Sequence, residues 1–480
     1  MARWPNFAGG TVLARSPLVA DELSINLFPC RIPTPTGKSQ RVLYGTPGST
    51  VEVDLGTGQP VRGLFDENGR TFAVSGDGFF ERLVAGTWVR RGSVALDTRP
   101  ATFATNGLNG LQVFIVSGGR GYIFRLDTNA FAAISDADFP PNVIMTGSGG
   151  RGYLDGYFLV QTAGGTFYIS ALADGSSWDA ADVASRTQGS DTWQAVLLVT
   201  PHVYLFGSLT SEVWYNSGAA DFPFAPVPEV FLHVGIAAPF SAALVDGKAC
   251  WLGRSREGGR AVYVAQQFQA VPVSDPIAIA LERYTHVEDA IGWGEVYDGH
   301  PWYVLTFPTE QVTWVYDLKE DAWHQRGFWH QGVFEAQRGR CHCVTQDGTH
   351  LVGSRVDGTI YQQSLEVYDD AGADLRWLRQ PPRIWNENKR LFHRGLELHT
   401  EPGIGGAGVE PTIDLDWSND GGKTFGSVHP AGLGKDGAYG TRVTWPPLGA
   451  SRDRVYRFAG TAPVKRALLE ASITVDAGTS

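Results

Sequence analysis

Cys341-His342-Cys343 is the densest group of metal-ligating side chains in this 480-residue chain. Thiolate and imidazole suit zinc, but a closed tetrahedral site needs four ligands, and no second Cys/His cluster completes the set. Neighbouring strand residues give the same spelling, so no metal and no cofactor are expected. A glycosidase needs two carboxylates placed across a sugar. Asp66, Asp77, Asp155, Asp246 and Asp298 are the candidates, with Arg62, Arg120, Arg254 and Arg355 available to hold an anion. Most of these aspartates precede glycine, in slots where a tight turn already explains them. His324 and His330 flank a Trp-rich segment, where packing accounts for them. The chain has no HExxH, no nucleophile elbow and no glycine-rich phosphate loop between a strand and a helix. No catalytic residue is expected, and the chain is read as a non-enzyme.

One motif is more specific. Ser418-Asn419-Asp420-Gly421-Gly422-Lys423-Thr424-Phe425 fits S-x-D-x-G-x-T-aromatic, the Asp-box of sialidase-like propellers. Ser418, Asp420, Gly422, Thr424 and Phe425 build a structural turn there: the aspartate ties the loop, the glycine takes the unusual dihedral and the aromatic packs beneath. It occurs once and does not serve as a catalytic element.

The elements that must position these residues come in a repeated phrase. Thr345–Ser364 runs from an Asp-Gly turn through Leu351-Val352 to a second Asp-Gly turn and Thr359-Ile360-Tyr361, a pair of antiparallel strands. Similar turns begin near 66, 106, 155, 201, 246, 298 and 347, a spacing of roughly 40 to 52 residues. A meander of this length cannot bury both faces alone; stacking such units in a closed ring does. The expected fold is all-β, a β-propeller of about seven blades, with six to eight compatible. An evenly spaced two-sheet sandwich is the competing arrangement. The 59 glycines, 27 prolines and 12% aromatic content agree with many turns and strands. No long amphipathic helix is written; Pro276 to Tyr284 is one or two turns at most.

Four parts follow. Residues 1–40 hold scattered prolines and read as an extended N-terminal arm. Ile25, Leu27 and Phe28 are apolar within it, which suits an arm lying on the protein or on a neighbour, so they are interface candidates. Residues 41–370 are the propeller, with a closing strand near Leu43 to Val53, and residues 371–384 are a linker. Residues 385–480 are a C-terminal β-sandwich with strands at Leu391–Leu398, Thr412–Trp417, Thr441–Trp445, Arg454–Phe458 and Leu468–Val475, and a glycine-rich loop at Glu401–Gly408 is a channel or contact candidate. The N-terminus lacks an apolar signal region, and no run reaches membrane-spanning length. The net charge of −11 disfavours a surface that grips nucleic acid.

The chain resembles the tail hub, or nozzle, proteins of short-tailed phages, the packaged-DNA stabilisation family. Three parts carry the resemblance: Ser16-Pro17 with Ile25-Asn26-Leu27-Phe28-Pro29 and Tyr44-Gly45-Thr46-Pro47-Gly48; Leu205-Phe206-Gly207, Ser211-Glu212-Val213-Trp214, Ser274-Asp275-Pro276-Ile277-Ala278 and Val315-Tyr316-Asp317; and Leu415–Phe425 with Arg442-Val443-Thr444-Trp445, Leu448-Gly449 and Arg454-Val455-Tyr456-Arg457-Phe458. The resemblance implies a virion protein made in the host cytoplasm. It implies a homo-hexameric ring below the portal and adaptor rings, fibres or spikes outside, a tip or needle below, and double-stranded DNA passing without sequence recognition. A duct that lets DNA slide should repel phosphates rather than bind them, which makes the acidity intelligible. A carbohydrate-active or carbohydrate-binding, sialidase-like propeller is the alternative.

Overall fold

Four two-residue turns set the register of the strands that follow them. Asn68-Gly69, Asp155-Gly156, Asp246-Gly247 and Asp298-Gly299 each place both residues at positive φ, between 49° and 98°. This is the geometry whose twist matches paired antiparallel strands. The Thr345–Ser364 copy departs from the expectation. Its loop is longer, with Thr345 N–H donating to Thr349 O at 2.9 Å, and only Gly348 has positive φ. Asp347 works there through its carboxylate, which accepts from the Thr349 N–H at 3.2 Å.

The protein was analysed as a computed structural model, which describes residues 2–33, 39–148, 152–404 and 410–478. Among them, seven four-stranded antiparallel units follow one another. Their first strands are Val61–Glu67, Thr102–Thr105, Val143–Thr146, Trp193–Val199, Val234–Ile236 with Ala243–Val245, Ile291–Tyr297 and Gly339–Val344. Each first strand touches those of both neighbours, and the seventh returns to the first, so they encircle an axis. A cavity of about 360 Å³ lies on that axis, lined from all seven units. The fold is a β-propeller. Aromatics fill the wedges between blades: Phe72, Phe79, Phe103 and Phe124 join blades 1 and 2, and Phe114, Phe158 and Trp178 join blades 2 and 3. A short 3₁₀ turn, Asp275–Ile277, runs into the helix Ala278–Arg283 between blades 5 and 6.

The seventh blade is completed by the N-terminal side of the chain. Thr359–Ser364 pairs antiparallel with Gly48–Asp54, so the closing strand begins at 48 rather than 43. Gly48 permits the approach: a Cβ there would lie 2.4 Å from the carbonyl oxygens of Val367 and Asp369.

The C-terminal domain is a sandwich of two sheets. One contains Leu391–Thr400 and Ala467–Ala477, the other Asp453–Gly460 and Thr412–Ser418. All five strands expected there are present, extended by a residue or more at most ends and shortened to Val443–Trp445 in one case. The arm, however, is part of this domain. Leu27–Arg31 and Arg41–Gly45 extend the first sheet, and Asp21–Ile25 joins the second. Trp4, Phe7, Leu27 and Leu43 sit in the sandwich core beside Trp445, Tyr456 and Phe458. The reason is the apolar alternation of the arm, which two half-covered sheets can bury. The segment expected as a linker is likewise structural: Trp377–Gln380 is a fully buried strand between Asp21–Ile25 and Asp453–Gly460. Of the glycine-rich loop, Gly405, Gly406 and Gly408 lie outside the described residues.

Candidate functional site: the splice between propeller and sandwich

The two domains share one sheet. Ala322–His330, the last strand of blade 6, pairs parallel with Asp21–Ile25 through Ile25 and Gln325, and the sheet continues into the sandwich through Trp377–Gln380. The arm is thus the strand that splices them.

Asn26 is the pivot of the splice. It takes φ +53°, a conformation asparagine tolerates better than most residues, and this turns the chain from one sandwich sheet to the other. Its side chain ties three segments. Nδ2 donates to Gly327 O at 2.6 Å and Arg376 O at 2.7 Å, and Oδ1 accepts from Gly327 N–H at 3.1 Å. Its backbone N–H donates to Gln325 O at 2.9 Å, and Thr46 N–H donates to its carbonyl at 3.1 Å.

Arg379 clamps the arm from the sandwich side. Its side chain is fully buried and its guanidinium donates to the carbonyls of Phe7 at 2.7 Å, Gly10 at 3.1 Å, Leu23 at 3.2 Å and Asn6 at 3.1 Å, and to Glu22 Oε2 at 3.4 Å. A planar fork of five N–H donors suits convergent carbonyls in a way an ammonium cannot. Burial lowers its pKa to about 10, opposed by Glu22, so it stays charged at neutral pH.

Ile25, Leu27 and Phe28, expected to lie on the protein or on a neighbour, are all buried within this chain. Of the two alternatives, the contact these side chains make here is the intramolecular one. Phe28 packs edge-on against Trp302 at 4.9 Å and His300 at 5.4 Å. Behind them is a buried polar group. His300 Nδ1 lies 2.7 Å from Asp317 Oδ2, and Trp302 Nε1 donates to the same oxygen at 3.0 Å. Burial raises the Asp317 carboxyl, but the bonds from His300 and Trp302 outweigh it and hold the pKa below its usual value. Sequence reading missed Asn26, Arg379 and Asp317; an asparagine between Ile25 and the apolar pair Leu27-Phe28, and an arginine after Trp377-Leu378, were the available signals.

His324 carries a consequence for acid stability. It is fully buried, neither ring nitrogen has a partner among the described residues, and burial together with Arg326 pulls its pKa to about 3. The unfolded chain takes up a proton below about pH 6.5 that the folded chain refuses until about pH 3. Stability is therefore complete above pH 6.5 and falls as pH drops, by up to about 1.4 kcal/mol per unit for this group. In pH-dependent melting, His324→Leu should flatten the curve between pH 6 and 4 by about one proton's share and be near neutral at pH 7. An unchanged slope would show that His324 is not the responsible group.

The remaining sequence candidates do not assemble into a sugar site. Arg62 donates to the carbonyls of Gly76, Arg99 and Ala95 and to Ser117 Oγ; Arg254 pairs with Glu288 at 3.5 Å and Arg355 with Glu335 at 3.1 Å; Arg120 is exposed. Asp66 caps its own turn through Thr71 and Gly69. Cys341, His342 and Cys343 lie along one strand of blade 7, where burial raises both thiols, Cys341 to about 12. At the Asp-box stretch, Asp420 accepts from Ser418 Oγ at 2.6 Å and from the N–H groups of Lys423 and Thr424, Gly422 has φ +93°, and Arg457 lies over the Phe425 ring. These bonds hold the Asp420 carboxyl far below its usual pKa.

Comparison with known proteins decides the family. The profile described as "Bacteriophage P22 Gp10, beta-propeller" matches residues 9–368, and "Bacteriophage P22 Gp10, beta-sandwich" matches residues 376–476. The chain belongs to the bacteriophage P22 Gp10 family. A Gp10-family protein is a phage protein of packaged-DNA stabilisation, a virion component built from a propeller and a sandwich. Among its described residues no helix is long and apolar enough to cross a membrane. No curated protein matches the chain. Solved structures resemble it distantly. The WD40 propeller domain of Doa1 is 12% identical with a TM-score of 0.40, over 66% of this chain and 97% of that one. The N-terminal domain of Nup159 is 10% identical with a TM-score of 0.40, over 72% and 99%. The extracellular domain of a putative hybrid two component system from B. thetaiotaomicron is 8% identical with a TM-score of 0.43, over 77% and 42%.

Proposed function

We propose that this Gp10-family protein is the tail hub, or nozzle, of a short-tailed phage. Six copies form a ring below the portal and adaptor, retain the packaged genome, conduct it at ejection and anchor fibres or spikes. Family membership over both domains carries the reading. The splice supports it physically. A ring under pressure from packaged DNA needs protomers that do not hinge, and a hydrogen-bonded sheet running from blade 6 into the sandwich resists hinging.

The charge distribution supports the same reading. Residues 48–370 hold 36 acidic and 20 basic side chains, a net −16. The remainder holds 14 acidic and 19 basic, a net +5. A duct lined by the propeller would repel phosphate and let DNA slide. A density map of the whole tail showing a lumen lined continuously by Lys and Arg would contradict this.

The decisive test is genetic. Phage lacking this protein should fill their heads and then lose the DNA, seen as heads that are filled in the infected cell and empty after purification. Full, infectious particles made without it would refute the assignment.

A further inference from the structure

The axial cavity of the propeller has positive charge in its wall and no negative charge. Arg62 and Arg340 line it, and no aspartate or glutamate is among the lining residues. His342, also in the wall, is neutral at neutral pH because burial pulls its pKa to about 4.

The two arginines reach the same loop. Arg62 Nη1 donates to Arg99 O at 3.2 Å, and the Arg340 guanidinium donates to the adjoining carbonyl, Thr98 O. The nearby carboxylate is Asp97, which already pairs with Arg99 at 2.8 Å. Arg62, Arg99 and Arg340 therefore share one counter-charge. Burial brings the Arg62 pKa down to about 10; Asp97 opposes that shift and Arg340 adds to it. The other Arg62 donors are spent on Gly76 O, Ala95 O and Ser117 Oγ. Arg340 differs. Thr98 O is its one hydrogen-bond partner among the described residues, and its Nε is buried without one, so most of its five N–H groups are unspent. Cationic charge in excess is costly away from water, and an anion in the cavity would offset it.

Charge is half of the site. The Phe65 and Phe103 rings stack at 5.5 Å in the wall, and Leu197, Phe240 and Trp293 also line it. At about 360 Å³, the space suits a small organic molecule better than a bare inorganic ion. A second cavity of about 490 Å³ shares Pro100, Phe240 and Arg340 with the first and continues it to Glu288, Asp289 and Pro308. Those two acids line the approach and not the axial cavity. Glu288 meets Arg254 at 3.5 Å, and Asp289 accepts from the Thr309 N–H at 2.9 Å.

We infer that the axial cavity binds a small organic anion, an aromatic or apolar body carrying a carboxylate, with the carboxylate on Arg340 and the body among Phe65, Phe103, Leu197 and Trp293. Arg62 contributes charge and Arg340 the hydrogen bonds. The site lies within one copy, so the inference stands apart from the ring proposed above.

The test uses the full chain and titration calorimetry with phenylacetate, phenylacetamide and sulfate. Phenylacetate should bind at one site per chain, and the amide and sulfate should each bind at least tenfold more weakly. Arg340→Gln should weaken phenylacetate at least tenfold, with the melting temperature of the unliganded chain unchanged or higher, since the change removes a cation beside Arg62. In a crystal soaked with bromophenylacetate, the bromine should lie among the axial aromatic side chains, a readout that needs no variant. If Arg340→Gln does not fold, the amide comparison and the bromine position decide. No saturable binding of phenylacetate into the millimolar range would overturn the inference. So would equal binding of the amide or of sulfate, undiminished binding by a folded Arg340→Gln chain, or bromine located elsewhere.

Discussion

Arg379→Met should lower the unfolding free energy by about 3–5 kcal/mol, among the larger effects expected of any single substitution in this chain. The methionine fills much of the volume but donates nothing. The carbonyls of Asn6, Phe7, Gly10 and Leu23 would be left buried without the donor they now share, and Glu22 would lose its counter-charge. Each orphaned buried group costs about 1–3 kcal/mol. Lysine should rescue little, because one ammonium cannot reach four carbonyls spread around a guanidinium. Limited proteolysis distinguishes this from general weakening: cleavage should appear first among residues 2–25 while the propeller stays intact. Arginine-like resistance in the Arg379→Lys chain would show that charge, and not the fork, is what matters.

Asn26→Ala should separate the domains thermally. The substitution removes the bonds to Gly327 and Arg376 and puts a side chain that disfavours φ +53° at the pivot. The expected cost is about 3–6 kcal/mol, of which about 1–2 is backbone strain. Asn26→Gly removes the side chain but accepts the dihedral, so it should recover the strain share. Calorimetry of the wild type should show one transition, because the arm belongs to both domains; the alanine variant should show two. A single transition at lower temperature would mean that the domains are coupled elsewhere.

The propeller was legible because its signals are local. Turn signals and strand-forming runs recur at a spacing of roughly 40 to 52 residues, and each blade is read from its own forty or so residues. The five sandwich strands were legible for the same reason. What sequence reading left open or bounded differently depends on distant pairing. Leu27 and Phe28 look like residues in need of a partner, and they are, but the partners lie some 270 residues or more away, at Trp302 and in the sandwich core. Nothing local distinguishes that from a partner on another chain. Trp377–Gln380 was hidden by the prolines that follow it, which resemble linker composition although the strand ends just before them. Asn26 and Arg379 act through backbone carbonyls of distant segments, so their apolar settings mark them as unusual without naming their partners.

The strand Gly48–Asp54 has a consequence for how the chain is made. It leaves the ribosome before any blade exists, yet its partner Thr359–Ser364 comes more than 300 residues later. The arm waits longer still, for strands as late as Ala467–Ala477. At 5–20 residues per second, synthesis leaves those edges open for on the order of a minute. A prematurely ended chain therefore cannot close its last blade, cover Phe28 or satisfy the arm, and it remains an open, adhesive molecule that chaperones and proteases can distinguish. Only a chain that has reached Ala467–Ala477 can cover all of these edges.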